Sequence, residues 1–182
     1  MDNILILGSG LSGMGACKLA IKQKINVRLS DSRKINQENK DLLDKFNVLW
    51  EEEGHSLSNL DWANYIIKSP GISSEIDLIK KAHQRNIPVI SEVEFAYRYV
   101  NDSKIIAITG SNGKTTTSKL LYYILKTSGF EVEICGNSFE TSFSEKIIEK
   151  PSEYYVLELS SFQLEGIIDF RPNISILLNL SP

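Results

Sequence analysis

Residues 4–13 read Ile4-Leu5-Ile6-Leu7-Gly8-Ser9-Gly10-Leu11-Ser12-Gly13. A short, continuous apolar run closed by glycines is the pattern of a strand buried on both faces, as in a parallel sheet. The glycines fall in G-x-G-x-x-G spacing, and helical periodicity follows from Gly13 to about Lys24 through Met14, Cys17, Leu19, Ala20 and Ile21. In such a turn the first glycine permits the bend, the second lets a diphosphate reach the backbone, and the third lets helix and strand pack closely. The helix N-terminus then offers free N–H groups to the phosphates. Val27–Leu29 reads as a second strand closed by Ser30-Asp31. An acid at that point can accept from a ribose hydroxyl, and Arg33 is within reach of a phosphate or a base. Alone, this segment points first to an NAD(P)-dependent oxidoreductase, with a strand-to-helix turn that binds nothing as the lesser alternative.

Outward from it, strands and helices alternate. Gln37–Phe46 has helical spacing, and Tyr65–Lys68 is a strand entering the turn Ser69-Pro70-Gly71. Glu75–Arg85 is a helix and Pro88–Ile90 a short strand. The order implies a parallel α/β sheet. The pattern then restarts, with a polar break at Asn101-Asp102-Ser103 inside a boundary region near 92–102. Lys104–Ile108 is a strand, and Lys114 to about Ser128 a helix stopped by Gly129. Val132–Cys135 is a strand, Ser142–Glu149 a helix closed by Pro151, and Tyr154–Leu159 and Ile174–Leu178 are strands. The expected fold is α/β: an N-terminal Rossmann-like parallel-sheet domain over residues 1–92, then over 93–182 part of a P-loop ATPase-type α/β domain.

Composition limits the function classes. The 182 residues carry 20 Lys+Arg against 23 Asp+Glu, a net charge of −3, which argues against bulk attraction to nucleic acid. A hydrophobic content of 42% excludes disorder as the dominant state. Cys17 and Cys135 read as reduced, buried thiols. No basic leader precedes the first apolar run, and no stretch approaches the roughly 20 apolar residues of a membrane span. The expectation is a cytoplasmic protein with no membrane partner, and a monomer.

The restart carries a second glycine loop, Thr109-Gly110-Ser111-Asn112-Gly113-Lys114-Thr115-Thr116. Strand, loop, Gly-Lys-Thr and helix are the parts of a phosphate-binding loop. The backbone of Gly110–Lys114 would cradle a polyphosphate, Lys114 would add charge on the outer phosphates, and the Thr115 hydroxyl would face Mg²⁺. The loop is a compact variant, with Ile108 where the longer motif has its first glycine. A magnesium–triphosphate site needs another oxygen ligand, and Glu158 stands inside an apolar strand beside Ser160 and Ser161. An acid there is costly unless it meets a ligand or a partner. A Lys or Arg pairing is the competing explanation.

Two such loops in tandem, with Thr-Gly-Ser-Asn-Gly-Lys-Thr-Thr in the second, resemble the Mur ligase family, ATP-dependent amide-bond ligases of peptidoglycan precursor synthesis. Leu157-Glu158-Leu159-Ser160-Ser161-Phe162-Gln163-Leu164-Glu165 looks like the branch that adds D-glutamate to UDP-N-acetylmuramoyl-L-alanine. The resemblance implies that the first domain holds a UDP-linked substrate and not NAD. Leu11 and Ser12 would line the diphosphate, and Asp31, Ser32 and Arg33 the uridine, with Gly71 nearby. Asn137 would contact the muramoyl part. Gly110, Ser111, Asn112, Gly113, Lys114, Thr115 and Thr116 would bind ATP. Lys114 and Glu158 would serve catalysis, with Thr115 and Glu158 around Mg²⁺ and Ser160 close by. The chain departs from the family's Gly-Asn-Ile-Gly at Ser138-Phe139. It also ends at Pro182, before the family's C-terminal domain. The expectation is a truncated ligase, inactive alone, with the D-glutamate site mostly outside it; a non-catalytic nucleotide-binding module is the alternative. His55 and His83 read as surface residues, Glu51–Glu53 as a solvated turn, and Trp50 and Trp62 as packing residues.

Overall fold

The computed structural model describes residues 2–149 and 151–180. Two parallel sheets form in succession. The first takes strands β1 (Asn3–Leu7), β2 (Asn26–Ser30), β3 (Leu49–Glu51), β4 (Tyr65–Lys68) and β5 (Val89–Ser91) in the order β3-β2-β1-β4-β5. Helices α1 (Leu11–Lys22), α2 (Gln37–Lys45) and α3 (Asp77–Gln84) connect them, with a 3-10 turn over Leu57–Asp61. The second takes β6 (Lys104–Thr109), β7 (Val132–Gly136), β8 (Tyr154–Glu158) and β9 (Ile174–Leu177) in the order β7-β8-β6-β9. Its helices are α5 (Lys114–Thr127), α6 (Phe143–Glu149) and α7 (Ser161–Leu164). One further helix, α4 (Glu92–Tyr97), lies between the sheets. The parallel α/β architecture read from the sequence is the one observed, with every strand pair parallel.

Both central strands are apolar on both faces, as helix-covered parallel strands must be. Ile4 and Ile6 point into a core shared with α1, α4 and the second sheet. Leu5 and Leu7 point to the opposite face, against Leu78, Ile79 and Ala82 of α3. Cys17 and Cys135 are free and buried, and burial pushes the Cys17 thiol up to about 12.

Four details differ from the sequence reading. Helix α1 begins at Leu11, not Gly13, and ends at Lys22, because Lys24 takes a left-handed conformation at φ 58°. Segment 92–97 is a buried helix and not part of a polar boundary. Leu49–Glu51 is an edge strand, so Glu51 does not sit in a solvated turn. His55 is half-buried and bonded, whereas His83 is exposed.

Candidate functional site

Ligands of doubly wound sheets bind beyond the carboxyl ends of the strands, where the connections leave a crevice. Here that crevice is a cleft of about 500 Å³. Leu11 and Ser12 enter it from the first turn of α1, Asp31, Ser32 and Arg33 from the end of β2, Gly71 from the end of β4, and Asn137 from the second sheet. The residues expected to hold the UDP-linked substrate therefore share one cavity.

The first glycine loop is built for close approach. Gly13 lies against the carbonyl of Gly8, and a Cβ at Gly13 would overlap that oxygen. Gly10 caps α1 with no side-chain bond, and a Cβ there would meet nothing. The bare Gly10 thus leaves the start of α1 open to the cleft, while the Gly8 N–H is taken by the Ser30 carbonyl (2.8 Å).

Asp31 is more committed than its sequence position suggests. Its Oδ2 accepts from the Ser9 N–H (2.6 Å) and hydroxyl (2.7 Å), and its Oδ1 from the Arg33 N–H (2.9 Å). Burial alone would raise its pKa; these hydrogen bonds and the Arg33 charge outweigh burial and hold it below the ordinary carboxylate value. Asp31 therefore staples the glycine loop to β2 as well as lining the cleft.

Behind it lies a network the sequence reading missed. Glu51 Oε1 accepts from the Ser30 hydroxyl (2.7 Å), the Ser56 N–H (2.8 Å) and the Asn59 amide (2.9 Å). The Ser30 oxygen lies 2.6 Å from His55 Nδ1, and His55 lines the cleft beside Asp31. The only sequence signal for it is topological: the loop leaving the strand beside β2 must open onto the same crevice.

At the second sheet, β6 feeds the phosphate loop and β8 runs beside it, with Ile108 opposite Glu158. Lys114 folds back so that its Nζ donates to the carbonyls of Gly110 (2.6 Å) and Ser111 (3.2 Å). Asn179, just past β9, braces the loop. Its Oδ1 accepts from the Asn112 N–H (2.9 Å), its Nδ2 donates to the Asn112 carbonyl (3.0 Å), and its own carbonyl accepts from the Ser111 N–H (3.0 Å).

Glu158 is fully buried and has no ion pair among the described residues. Its Oε1 accepts from the Ser138 hydroxyl (2.6 Å) and the Asn137 amide (3.4 Å), while Oε2 has no partner. A buried carboxylate oxygen left unpaired is costly, which fits an oxygen held ready for a cation. Gly136, at φ 116°, makes the arrangement: a Cβ there would overlap the backbone of Glu158. Ser160 follows Glu158 by two residues at the start of α7. Its hydroxyl caps α7 in a reciprocal pair with Gln163, and Ser138 takes its place beside Glu158. Among the described residues no three His, Cys, Asp or Glu side chains converge. Magnesium sites often take only one or two carboxylates and complete their shell with phosphate and water.

The chain is a two-sheet parallel α/β protein with a glycine-loop cleft on the first sheet and a Gly-Lys-Thr loop beside a buried acid on the second. The family models described as "Mur ligase MurD-like, N-terminal domain" and "Mur ligase middle domain" match residues 2–91 and 108–182, and the chain belongs to the Mur ligase family. It is 45% identical over 182 residues to a UDP-N-acetylmuramoylalanine–D-glutamate ligase of Bacteroides thetaiotaomicron, covering all of this chain and 40% of that protein. It is 43% identical over 180 residues to the ligase of the same name from Porphyromonas gingivalis, covering 99% and 40%. The chain thus spans about two-fifths of the length of these curated relatives. Among solved structures, the UDP-N-acetylmuramate:L-alanyl-gamma-D-glutamyl-meso-diaminopimelate ligase from Neisseria meningitides aligns at TM-score 0.61 and 20% identity, covering 100% of this chain and 61% of that one. UDP-N-acetylmuramate–alanine ligase from Thermotoga maritima aligns at 0.56 and 21%, covering 99% and 42%. At these identities the structures speak for the fold alone. No helix among the described residues is long and apolar enough to cross a membrane.

Proposed function

We propose that this chain is the substrate- and ATP-binding part of an ATP-dependent ligase that joins D-glutamate to UDP-N-acetylmuramoyl-L-alanine. Residues 1–92 form the UDP-substrate domain and 93–182 the beginning of the ATP domain, in a cytoplasmic monomer. The observation that carries the reading is continuity. The cleft that begins at Asp31 ends at Asn137, and Asn137 touches Glu158 beside the phosphate loop. A ligand held at its nucleotide end near Asp31 can therefore present its far end to the γ-phosphate of ATP.

The reaction has two steps. The alanyl carboxylate takes the γ-phosphoryl group, giving an acyl phosphate and ADP. The amine of D-glutamate then attacks the carbonyl and phosphate leaves. The chain's residues mainly orient the partners and neutralise charge. Leu11 and Ser12 present the α1 N-terminus to the diphosphate, and Asn137 steadies the muramoyl part. The backbone of Gly110–Thr116 wraps the ATP phosphates, and Lys114 exchanges its loop carbonyls for phosphate oxygens. Thr115 and the unpaired Glu158 Oε2 are the groups that would hold Mg²⁺, which when bound neutralises phosphate charge.

The test is phosphate release by the gene product at full length. We expect release only when ATP, UDP-N-acetylmuramoyl-L-alanine and D-glutamate are all present, and calorimetric binding of the UDP compound but not of NADH. Binding of NADH in place of the UDP compound would return the cleft to the oxidoreductases.

A further inference from the structure

A short hydrogen bond decides how Glu158 meets a cation. Gly136, at the end of β7, stands opposite Glu158 in β8. Past it the chain turns: the Phe139 N–H donates back to the Gly136 carbonyl (3.1 Å), and the Asn137 N–H donates to the Glu158 carbonyl (2.9 Å). The turn is thus tied to the main chain of Glu158, and it delivers the Ser138 hydroxyl to the side chain of the same residue. Ser138 Oγ lies 2.6 Å from Glu158 Oε1, the length of a charge-assisted O–H···O bond. The Asn137 amide adds a longer contact to that oxygen, at 3.4 Å. Isoleucine, which stands here in the Gly-Asn-Ile-Gly pattern, has no hydroxyl to give, so the bond comes with this chain's departure from that pattern.

The two carboxylate oxygens are therefore unequal. Oε1 is turned to its donors, and Oε2 is buried and unpaired. A carboxylate pinned in this way offers a cation one oxygen and not two. Cations differ in what they take from it. Magnesium demands near-octahedral geometry with ligands at about 2.0–2.1 Å, which a single carboxylate oxygen satisfies. Calcium takes roughly six to eight oxygens at about 2.3–2.6 Å and accepts both oxygens of one carboxylate. A donor that orients a metal ligand is itself part of the site: its loss weakens metal binding by about 10- to 100-fold.

Resting on the reading of Glu158 as a ligand of the magnesium that accompanies ATP, we propose that Ser138 is a positioning residue that holds Glu158 with one oxygen forward and so sets the site's preference for magnesium over calcium. Without the hydroxyl, Oε1 keeps only the 3.4 Å amide contact, and the carboxylate is free to turn and present both oxygens. Magnesium then loses an oriented ligand, while calcium gains an oxygen.

The test is calorimetric titration of a non-hydrolysable ATP analogue into the full-length protein and its Ser138→Ala and Ser138→Thr variants, with magnesium, with calcium and with neither, and a melting curve for each. Wild type is expected to bind the magnesium complex more tightly than the calcium complex. Ser138→Ala should weaken the magnesium complex about tenfold, keep the calcium complex within about threefold of wild type, and leave metal-free binding where it was. Ser138→Thr keeps the hydroxyl and should keep the wild-type magnesium:calcium ratio. An unchanged ratio in Ser138→Ala, equal weakening under all three conditions, or a threonine variant that behaves like alanine overturns the proposal and leaves Glu158 at the metal. Wild type that binds the analogue as well without metal as with magnesium overturns the reading of Glu158 itself.

Discussion

Glu158 separates what a residue does for folding from what it does for a ligand. Its buried Oε2 pairs with nothing, so the carboxylate costs the fold free energy. Glu158→Gln keeps an oxygen for Ser138 while removing the charge. We expect the variant to melt at or above the wild-type temperature and to lose on the order of 100-fold in magnesium-dependent ligation, the scale of losing a preorganised charge at a phosphoryl site. Activity and melting curves measured together check this. A variant that melts early with activity in proportion would make Glu158 a structural acid and remove it from the metal site. His83 makes the contrast at this scale: it is exposed on α3, as its polar surroundings in the sequence imply.

At the scale of elements, the strand–loop–helix units were legible because their causes are local. Glycine spacing, apolar runs and helical periodicity are all written within about ten residues of each other. The first loop can be tested as a unit because its glycines do different work. Gly13→Ala forces a Cβ into the Gly8 carbonyl, so it should cost about 1–3 kcal/mol in chemical denaturation despite alanine's better helix propensity. Gly10→Ala should cost less, under about 1 kcal/mol, since its Cβ meets nothing and only alanine's poorer N-cap preference counts against it, yet weaken UDP binding by blocking approach of the diphosphate. Equal effects of the two would remove the diphosphate from this loop. What stayed illegible has distant causes. Helix α4 looks polar because of Glu92 and Glu94, but both are buried, and their partners lie 52 and 74 to 76 positions away. Strand β3 is three residues long and sits at an edge, too short for a period to show. The residues of the candidate site were readable wherever a motif carries them; Ser138, His55 and Asn179 act through tertiary neighbours and carry no motif.

At the scale of the whole molecule, α1 and α4 join the two sheets. Lys18 pairs with Glu145 (2.5 Å), and Lys22 donates to the Ile148 carbonyl (3.0 Å). Glu94 Oε2 accepts three successive N–H groups, from Ile168, Asp169 and Phe170 (2.8–3.0 Å). Glu92 accepts the Ser144 N–H (2.5 Å) and lines the cleft at the same joint. Burial pushes the Glu92 pKa from 4.5 up to about 7, opposed in part by the Ser144 hydrogen bond and aided by the Glu145 charge. An acid with a raised pKa binds its proton more tightly in the native chain than in the unfolded one. Between about pH 4.5 and 7 the native state therefore holds more protons, and Glu92 draws stability down as pH rises. Above that window the cost is constant, about 3 kcal/mol; below it the cost vanishes. Glu92→Gln keeps the acceptor for Ser144 and removes the titration. The variant should match wild type near pH 4.5 and exceed it by that amount at pH 8, in denaturant unfolding of the full-length protein at both pH values. A gap independent of pH would mean that Glu92 does not titrate in this range. A glutamine variant weaker at pH 8 would mean that the ionised carboxylate is what holds the two sheets together.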